Sequence, residues 1–156
     1  MNYALEQAQL AEQNGEVPVA ALIVQGNRLI ATGINAPIAL HDPTAHAEIL
    51  ALRHAGEALQ NYRLPNTTLY VTLEPCPMCA GAIVHARVER VVYAAPDPRT
   101  GAAGSVFNLL QNPQLNHCCQ VSAGILQEKG AQQLKNFFKR RRLEQKQSKA
   151  KLAENN

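Results

Sequence analysis

An α/β fold built on a mixed five-stranded sheet is what this sequence predicts, and three features of the chain predict it. Short apolar runs with strand character alternate with longer helical ones along 156 residues, a length that suits one core. Hydrophobic residues are 46% of the chain but aromatics only 4%, with no Trp, so the core must be aliphatic, built from Ala, Val, Leu and Ile. Gly26-Asn27 is a two-residue turn signal that joins the first two runs into a hairpin.

The elements follow in order. Asn2 to Asn14 reads as an amphipathic helix, with Leu5, Ala8, Leu10 and Ala11 at roughly helical spacing and Gly15 as its stop. Val19 to Gln25 and Arg28 to Asn35 are the hairpin strands, and Ala36 to Pro43 reads as a loop. Thr44 to Gln60 is a helix capped by Asp42 or Thr44. Leu69 to Leu73 is a third strand, and Pro77 suits the first turn of a helix over Met78 to Ala86. Arg90 to Ala95 is a fourth strand, Pro96 to Ser105 a loop, and Val106 to Gln111 a single helical turn. Gln120 to Ala123 is the last strand, and Ile125 to about Gln147 a long helix. No linker divides the chain, so residues 1–147 are expected to form one domain and 148–156 a disordered basic tail.

Composition narrows the setting. No run of 18 apolar residues exists, so no transmembrane helix is expected. Met1 to Glu16 carries Glu6, Glu12 and Glu16 without Lys or Arg, the opposite of a signal peptide's basic start. Together with the spacing of Cys76, Cys79, Cys118 and Cys119, which is no disulfide framework, this leads to an expected cytoplasmic location. The formal charge of +3 is unevenly spread. Residues 135–156 hold eight basic and two acidic side chains, while residues 1–134 hold seven basic and ten acidic. A basic segment on a mildly acidic body fits a polyanion contact, although a solvated helix end would look the same.

The chemistry is concentrated in His46-Ala47-Glu48 and Glu74-Pro75-Cys76-Pro77-Met78-Cys79. A neutral imidazole is a good zinc ligand, and thiols at a helix start are favoured as thiolates. His46, Cys76 and Cys79 make three protein ligands, one fewer than a structural zinc site, which leaves a position for water. Glu48, two residues from His46, is expected to face that water without ligating the metal, and so to carry a proton from it to a substrate nitrogen. This is hydrolytic deamination in outline. A lone Cys-x-x-Cys would also fit a redox motif or a zinc knuckle; His-x-Glu followed by Pro-Cys-x-x-Cys is far more specific.

With these motifs the sequence resembles the bacterial tRNA-specific adenosine deaminase family of the cytidine and deoxycytidylate deaminase superfamily. The likeness runs from about Leu5 to Arg142 and includes Glu16-Val17-Pro18-Val19, His41-Asp42-Pro43-Thr44-Ala45-His46-Ala47-Glu48, Thr100-Gly101-Ala102-Ala103-Gly104-Ser105 and Phe137-Phe138-Lys139-Arg140. It implies a three-layer α/β/α cytidine-deaminase-like fold, a homodimer, one Zn2+ per chain, and conversion of adenosine to inosine in the anticodon loop of a tRNA. It further implies His46, Cys76 and Cys79 as zinc ligands, Glu48 as proton shuttle, and Asn35 with the Ala47 N–H at the flipped base. Asp97 would lie near the anticodon sugar, and the C-terminal helix with Phe137 and Arg140 on the RNA loop. Ala20 departs from the glycine expected in the Val-Pro-Val-Gly run.

Two other functions share some of these features. A free guanine or cytosine deaminase would use the same zinc site but gains little from the basic segment. A noncatalytic RNA-binding zinc subunit would have no use for Glu48. Elsewhere, Glu74 reads as a cap for the helix behind it, His41 as a loop residue near the pocket, and His54 and His85 as surface or core-edge histidines. At least one of Phe137 and Phe138 is expected in the core, and of Cys118 and Cys119 one is expected buried and one exposed.

Overall fold

The structure, a computed structural model, describes residues 1–154. Its five strands are β1 (Ala20–Gln25), β2 (Arg28–Ile34), β3 (Thr67–Leu73), β4 (Arg90–Ala95) and β5 (Gln120–Ser122), in the order β2-β1-β3-β4-β5. β1 is antiparallel to both β2 and β3, whereas β3, β4 and β5 are parallel, so the sheet is mixed as expected. The helices are α1 (Asn2–Gln13), α2 (Pro37–Leu40), α3 (Ala47–Leu59), α4 (Pro77–His85) and α5 (Gln127–Glu154).

Alternation along the strands separates two apolar faces. Ala21 and Ile23 of β1, Leu69 and Val71 of β3, and Val91 and Tyr93 of β4 join one cluster with Ala47, Ala51 and Ala55 of α3 and Ile83 and Val84 of α4. The intervening residues Ala20, Leu22, Val92 and Ala94 are also buried, on the face that α1 and α5 cover. Gly130 of α5 comes so near this face that a Cβ there would lie 3.2 Å from the Ala94 Cβ. Gln133 of α5 donates to the Leu5 carbonyl at 3.3 Å, and Arg140 pairs with Glu12 at 2.5 Å, which ties the two outer helices together. The result is a three-layer α/β/α arrangement.

The other face is closed by an unusually tight fit. Gly33 of β2 faces the start of α3, where an added Cβ would collide with the Ala47 carbonyl oxygen and lie 2.5 Å from the Ala51 nitrogen. Both are backbone atoms, so no rotamer change could relieve the clash. Alanines at 47, 51 and 55 keep that helix face thin enough to lie against the sheet.

Four local expectations are corrected. Within the expected loop 36–43, residues Pro37–Leu40 form the helical turn α2. Pro37 presets φ, and the buried Glu16 carboxylate accepts the N–H groups of Ile38 and Ala39 at 2.9 Å each. α3 begins at Ala47 rather than Thr44, because Asp42 Oδ1 takes the Thr44 N–H and hydroxyl into a turn of their own at 2.8 and 2.7 Å. Residues 106–111 hold no helical turn, since the N–H groups of Val106 and Phe107 both donate back to the Gly101 carbonyl at 3.0 Å and Ala103 bridges Asn108. Finally, α5 continues past 147 to Glu154, where a disordered tail was expected; residues 155 and 156 lie outside the described residues. Lys, Gln, Ala, Leu and Glu are good helix formers, and the stretch after Gly130 has no Gly or Pro to stop it.

Gly33→Ala is expected to lower the unfolding free energy by about 3 kcal/mol through overpacking between β2 and α3. Urea denaturation checks this, and a loss below about 0.5 kcal/mol, the usual range for neutral surface changes, would mean that the helix can step away from the sheet freely.

Candidate metal centre and active site

Two helix starts meet at one end of the parallel strands. His46 occupies the N-cap position of α3 and Cys76 that of α4, with Cys79 in the first turn of α4 and Pro77 at its first position. His46 Nδ1 lies 3.7 Å from Cys76 Sγ and 3.6 Å from Cys79 Sγ, and the three donor atoms all fall within 4.8 Å of one another. Tetrahedral zinc with ordinary Zn–N and Zn–S bond lengths sets its nitrogen and sulfur ligands about 3.6 Å apart, so the donors stand at the spacing zinc requires. Among the described residues this is the one His/Cys/Asp/Glu group arranged to hold a metal.

The thiols respond to each other as a pair sharing one proton. The hydrogen bond from Cys79 holds Cys76 down to about 4, with further help from His46, while that same partnership and burial push Cys79 up. His46 is raised, first by its hydrogen bond with Cys76. A divalent cation between the sulfurs would displace the shared proton, which is how thiolate sites couple metal binding to proton release.

Glu48, in the first turn of α3, is 4% exposed. Burial pushes its carboxyl up to about 7; the backbone N–H at Glu48 opposes this, the Cys76 charge adds to it, and the Cys79 thiol is within hydrogen-bonding reach. A carboxyl at that value both takes and gives a proton near neutral pH. Next to it, the buried Asn35 accepts the Ala47 N–H on Oδ1 at 3.3 Å. The Ala47 N–H, expected to face a base, is thus engaged in orienting Asn35 and leaves the carboxamide Nδ2 as the donor.

The loop after β4 closes another side. Ala102 N–H donates to the Pro75 carbonyl at 2.8 Å, so the loop lies directly against the segment that carries Cys76. Asp97 turns its carboxylate onto its own loop, accepting from the Arg99 N–H at 2.9 Å and the Thr100 hydroxyl at 2.6 Å. Glu74 is not a helix cap. Its buried carboxylate accepts the N–H groups of Asp97 (2.9 Å), Ala103 (3.0 Å) and Ser105 (3.0 Å), and also the Ser105 hydroxyl. Burial alone would raise its pKa, but these hydrogen bonds outweigh burial and hold it below the ordinary glutamate value. The sequence held a signal for this: an acidic residue at the end of an apolar strand is tolerated in a core only if its oxygens are satisfied.

The remaining expected residues divide. Phe137 is 3% exposed and edge-on to Phe138, which is 45% exposed. One of the two is thus in the core, as expected: it is Phe137, and the more open ring is Phe138. Arg140 lies over the Phe137 ring at 5.6 Å and is engaged by Glu12 and, at 3.5 Å, by Glu144. His54 and His85 are exposed, and His41 is an exposed left-handed cap of α2. Cys119 is buried and Cys118 exposed, as expected.

Comparison with known proteins agrees with this geometry. The cytidine and deoxycytidylate deaminase zinc-binding region matches residues 1–95. A tRNA-specific adenosine deaminase of Haemophilus influenzae is 52% identical over 97% of this chain and 88% of its own. A solved structure from studies of A-to-I editing by tRNA:A34 deaminases at the wobble position of transfer RNA superposes with a TM-score of 0.83 at 44% identity, covering 86% of this chain and 97% of that one. A guanine deaminase from Nitrosomonas europaea superposes at 0.76 with 26% identity, over 87% of this chain and 81% of its own.

Each of His46→Ala, Cys76→Ser and Cys79→Ser is expected to drop bound zinc from about one per chain to a small fraction, whereas Glu48→Gln keeps it. Metal analysis after gel filtration checks this, and zinc lost from Glu48→Gln would make that carboxylate a ligand.

Proposed function

This chain belongs to the cytidine and deoxycytidylate deaminase family, and we propose that it is a hydrolase converting adenosine to inosine at the wobble position of a tRNA. The observation that carries the reading is a buried carboxyl, Glu48, in the first turn of α3, two residues on from His46 of a three-donor metal site.

Zinc held by His46, Cys76 and Cys79 supplies Lewis acidity and draws the pKa of water toward neutrality. Glu48 accepts the proton of the water that attacks C6 and delivers it to the ring nitrogen. Glu48 then moves the remaining proton of the C6 hydroxyl to the amino nitrogen, the C6–N bond breaks as the C6 carbonyl forms, and adenosine and water give inosine and ammonia. Asn35 donates from Nδ2 to the purine while the Ala47 N–H holds its other end. Burial of Glu48 excludes bulk water that would otherwise level its pKa.

Several features support an RNA substrate over a free base. Relatives named as tRNA-specific adenosine deaminases match nearly the whole chain at higher identity than the guanine deaminase does. Residues 141–150 of α5 are all exposed, including Arg141, Arg142, Lys146 and Lys149, and α5 extends well past its last buried position. In this reading residues 1–147 are the catalytic domain and the end of α5 is an arm for RNA, with Phe138 and Arg140 toward the anticodon loop and Asp97 beside its sugar. A homodimer is supported by an open groove between α3 and α4 lined by Ile49, Leu52 and Ala82, beside Tyr62 at 73% exposure. No described helix is long and apolar enough to cross a membrane.

The test is inosine formation in an adenosine-bearing anticodon stem-loop by zinc-loaded protein, with Glu48→Ala as control. Conversion by the wild type and none by the control is expected; failure on the stem-loop with turnover of guanine or cytosine would transfer the assignment to a free-base deaminase. Deleting residues 143–156 removes three basic side chains and is expected to weaken stem-loop binding. The slope of log affinity against log salt should flatten as well, by up to about 0.7 for each phosphate that is no longer neutralised. Unchanged affinity and slope would make the end of α5 a solvated surface.

A further inference from the structure

Glu74 is the largest polar investment in the interior that the chemistry does not use. It is 2% exposed, and its two oxygens receive three backbone N–H groups and one hydroxyl from a single loop, residues 97–105. No described buried side-chain polar atom lacks a partner, so the carboxylate and the loop satisfy each other. The rest of the loop is held by Ala102 N–H on the Pro75 carbonyl, by turns closed on the Asp97 and Gly101 carbonyls, by Thr100 on the Asp97 carboxylate, by the Ala103–Asn108 bridge and by the burial of Ala102 and Ala103. Gly101 is itself part of the fit, since a Cβ there would collide with the Glu74 carboxylate and lie 2.6 Å from the Asp97 carbonyl oxygen.

The position of this loop gives the clamp its meaning. In sheets with parallel strands, ligands gather beyond the carboxyl ends of the strands. β3 and β4 are parallel, and their carboxyl ends lead into Glu74-Pro75-Cys76 and into the 97–105 loop respectively. Beyond the clamp the chain presents Val106 at 46% and Phe107 at 51% exposure, an apolar pair directly after the clamped residues. Aromatic and apolar side chains held in the open suit unstacked bases of a single-stranded loop.

Resting on the RNA-deaminase reading above, we propose that Glu74 is a positioning residue for substrate: by gathering the Asp97, Ala103 and Ser105 N–H groups it holds the loop after β4 as the wall against which the anticodon loop is seated. Glu74 touches neither metal nor reacting atoms. Its removal therefore acts on substrate affinity and leaves zinc content and the chemical step in place.

The experiment compares wild type, Glu74→Gln, Ser105→Ala and Gly101→Ala by steady-state kinetics on the stem-loop, by fluorescence anisotropy with the same RNA, and by zinc content. Glu74→Gln keeps one acceptor oxygen, Ser105→Ala removes one hydroxyl donor, and Gly101→Ala displaces the clamp without changing its acceptor. The expected result is a KM and Kd for RNA raised roughly tenfold in Glu74→Gln and Gly101→Ala and less in Ser105→Ala, with kcat within about twofold and zinc retained, as for a misplaced positioning element. Hydrogen exchange of the 97–105 amides should accelerate in the same order. KM and Kd unchanged in folded variants overturn the proposal, as does a fall in kcat or zinc at constant KM, which would place Glu74 in service of the metal junction. Wild-type protein that neither binds nor converts the stem-loop overturns the RNA reading itself, and the proposal with it.

Discussion

The approach of α3 to the sheet is the constraint on which the rest of the site depends. His46, Ala47 and Glu48 all lie at the start of that helix, and their placement is set by how closely the helix backbone meets β2 at Gly33. With glycine there and alanines at 47, 51 and 55, backbone meets backbone. The same contact brings Asn35, at the end of β2, within reach of the Ala47 amide, and so Asn35, proposed to meet the base, and the candidate metal ligand His46 share one anchor. Close packing of this kind leaves little freedom for sub-ångström drift, which is what a reacting centre needs from its scaffold.

Electrostatics then divides the work among groups of the same chemical type. Of two glutamates near the centre, Glu48 has no array of N–H donors and is pushed up toward neutrality by burial, whereas Glu74 is satisfied four times over and stays ionised. Opposite environments suit one to the proposed proton transfer and the other to the part of a structural anion. The thiols follow similar logic: the two cysteines of one motif share a proton until a cation replaces it, and both sit at a helix start whose dipole favours the ionised form.

Much of this is legible in the residues. Gly26-Asn27 announces the hairpin, the strand at 90–95 matches its expected bounds, and the spacing of His46, Glu48, Cys76 and Cys79 leads directly to a metal and a proton carrier. What the sequence hides comes from tertiary partners. Glu16 makes a helical turn out of 37–40 from twenty-odd residues away, and nothing local at Pro37-Ile38-Ala39-Leu40 announces that partner. Glu74 looks like an ordinary cap until the loop at 97–105 folds over it. Phe137 and Phe138 are neighbours of one residue type, and only the angle at which α5 meets the sheet decides which is buried. The reach of α5 past 147 is hidden by an apolar face that fades before the helix ends, although helix propensity alone carries it on.

The proposed mechanism centres on a zinc ion that His46, Cys76 and Cys79 would hold, with one position left for water and Glu48 beside it as a proton carrier that does not ligate. X-ray absorption at the zinc edge of the purified protein tests this most directly. Two sulfurs near 2.3 Å and two lighter atoms near 2.0–2.1 Å are expected, one from His46 and one exchangeable with solvent-derived ligands. A shell filled by four protein atoms and indifferent to added ligands would contradict it, because such a centre holds a fold together and leaves Glu48 nothing to deprotonate.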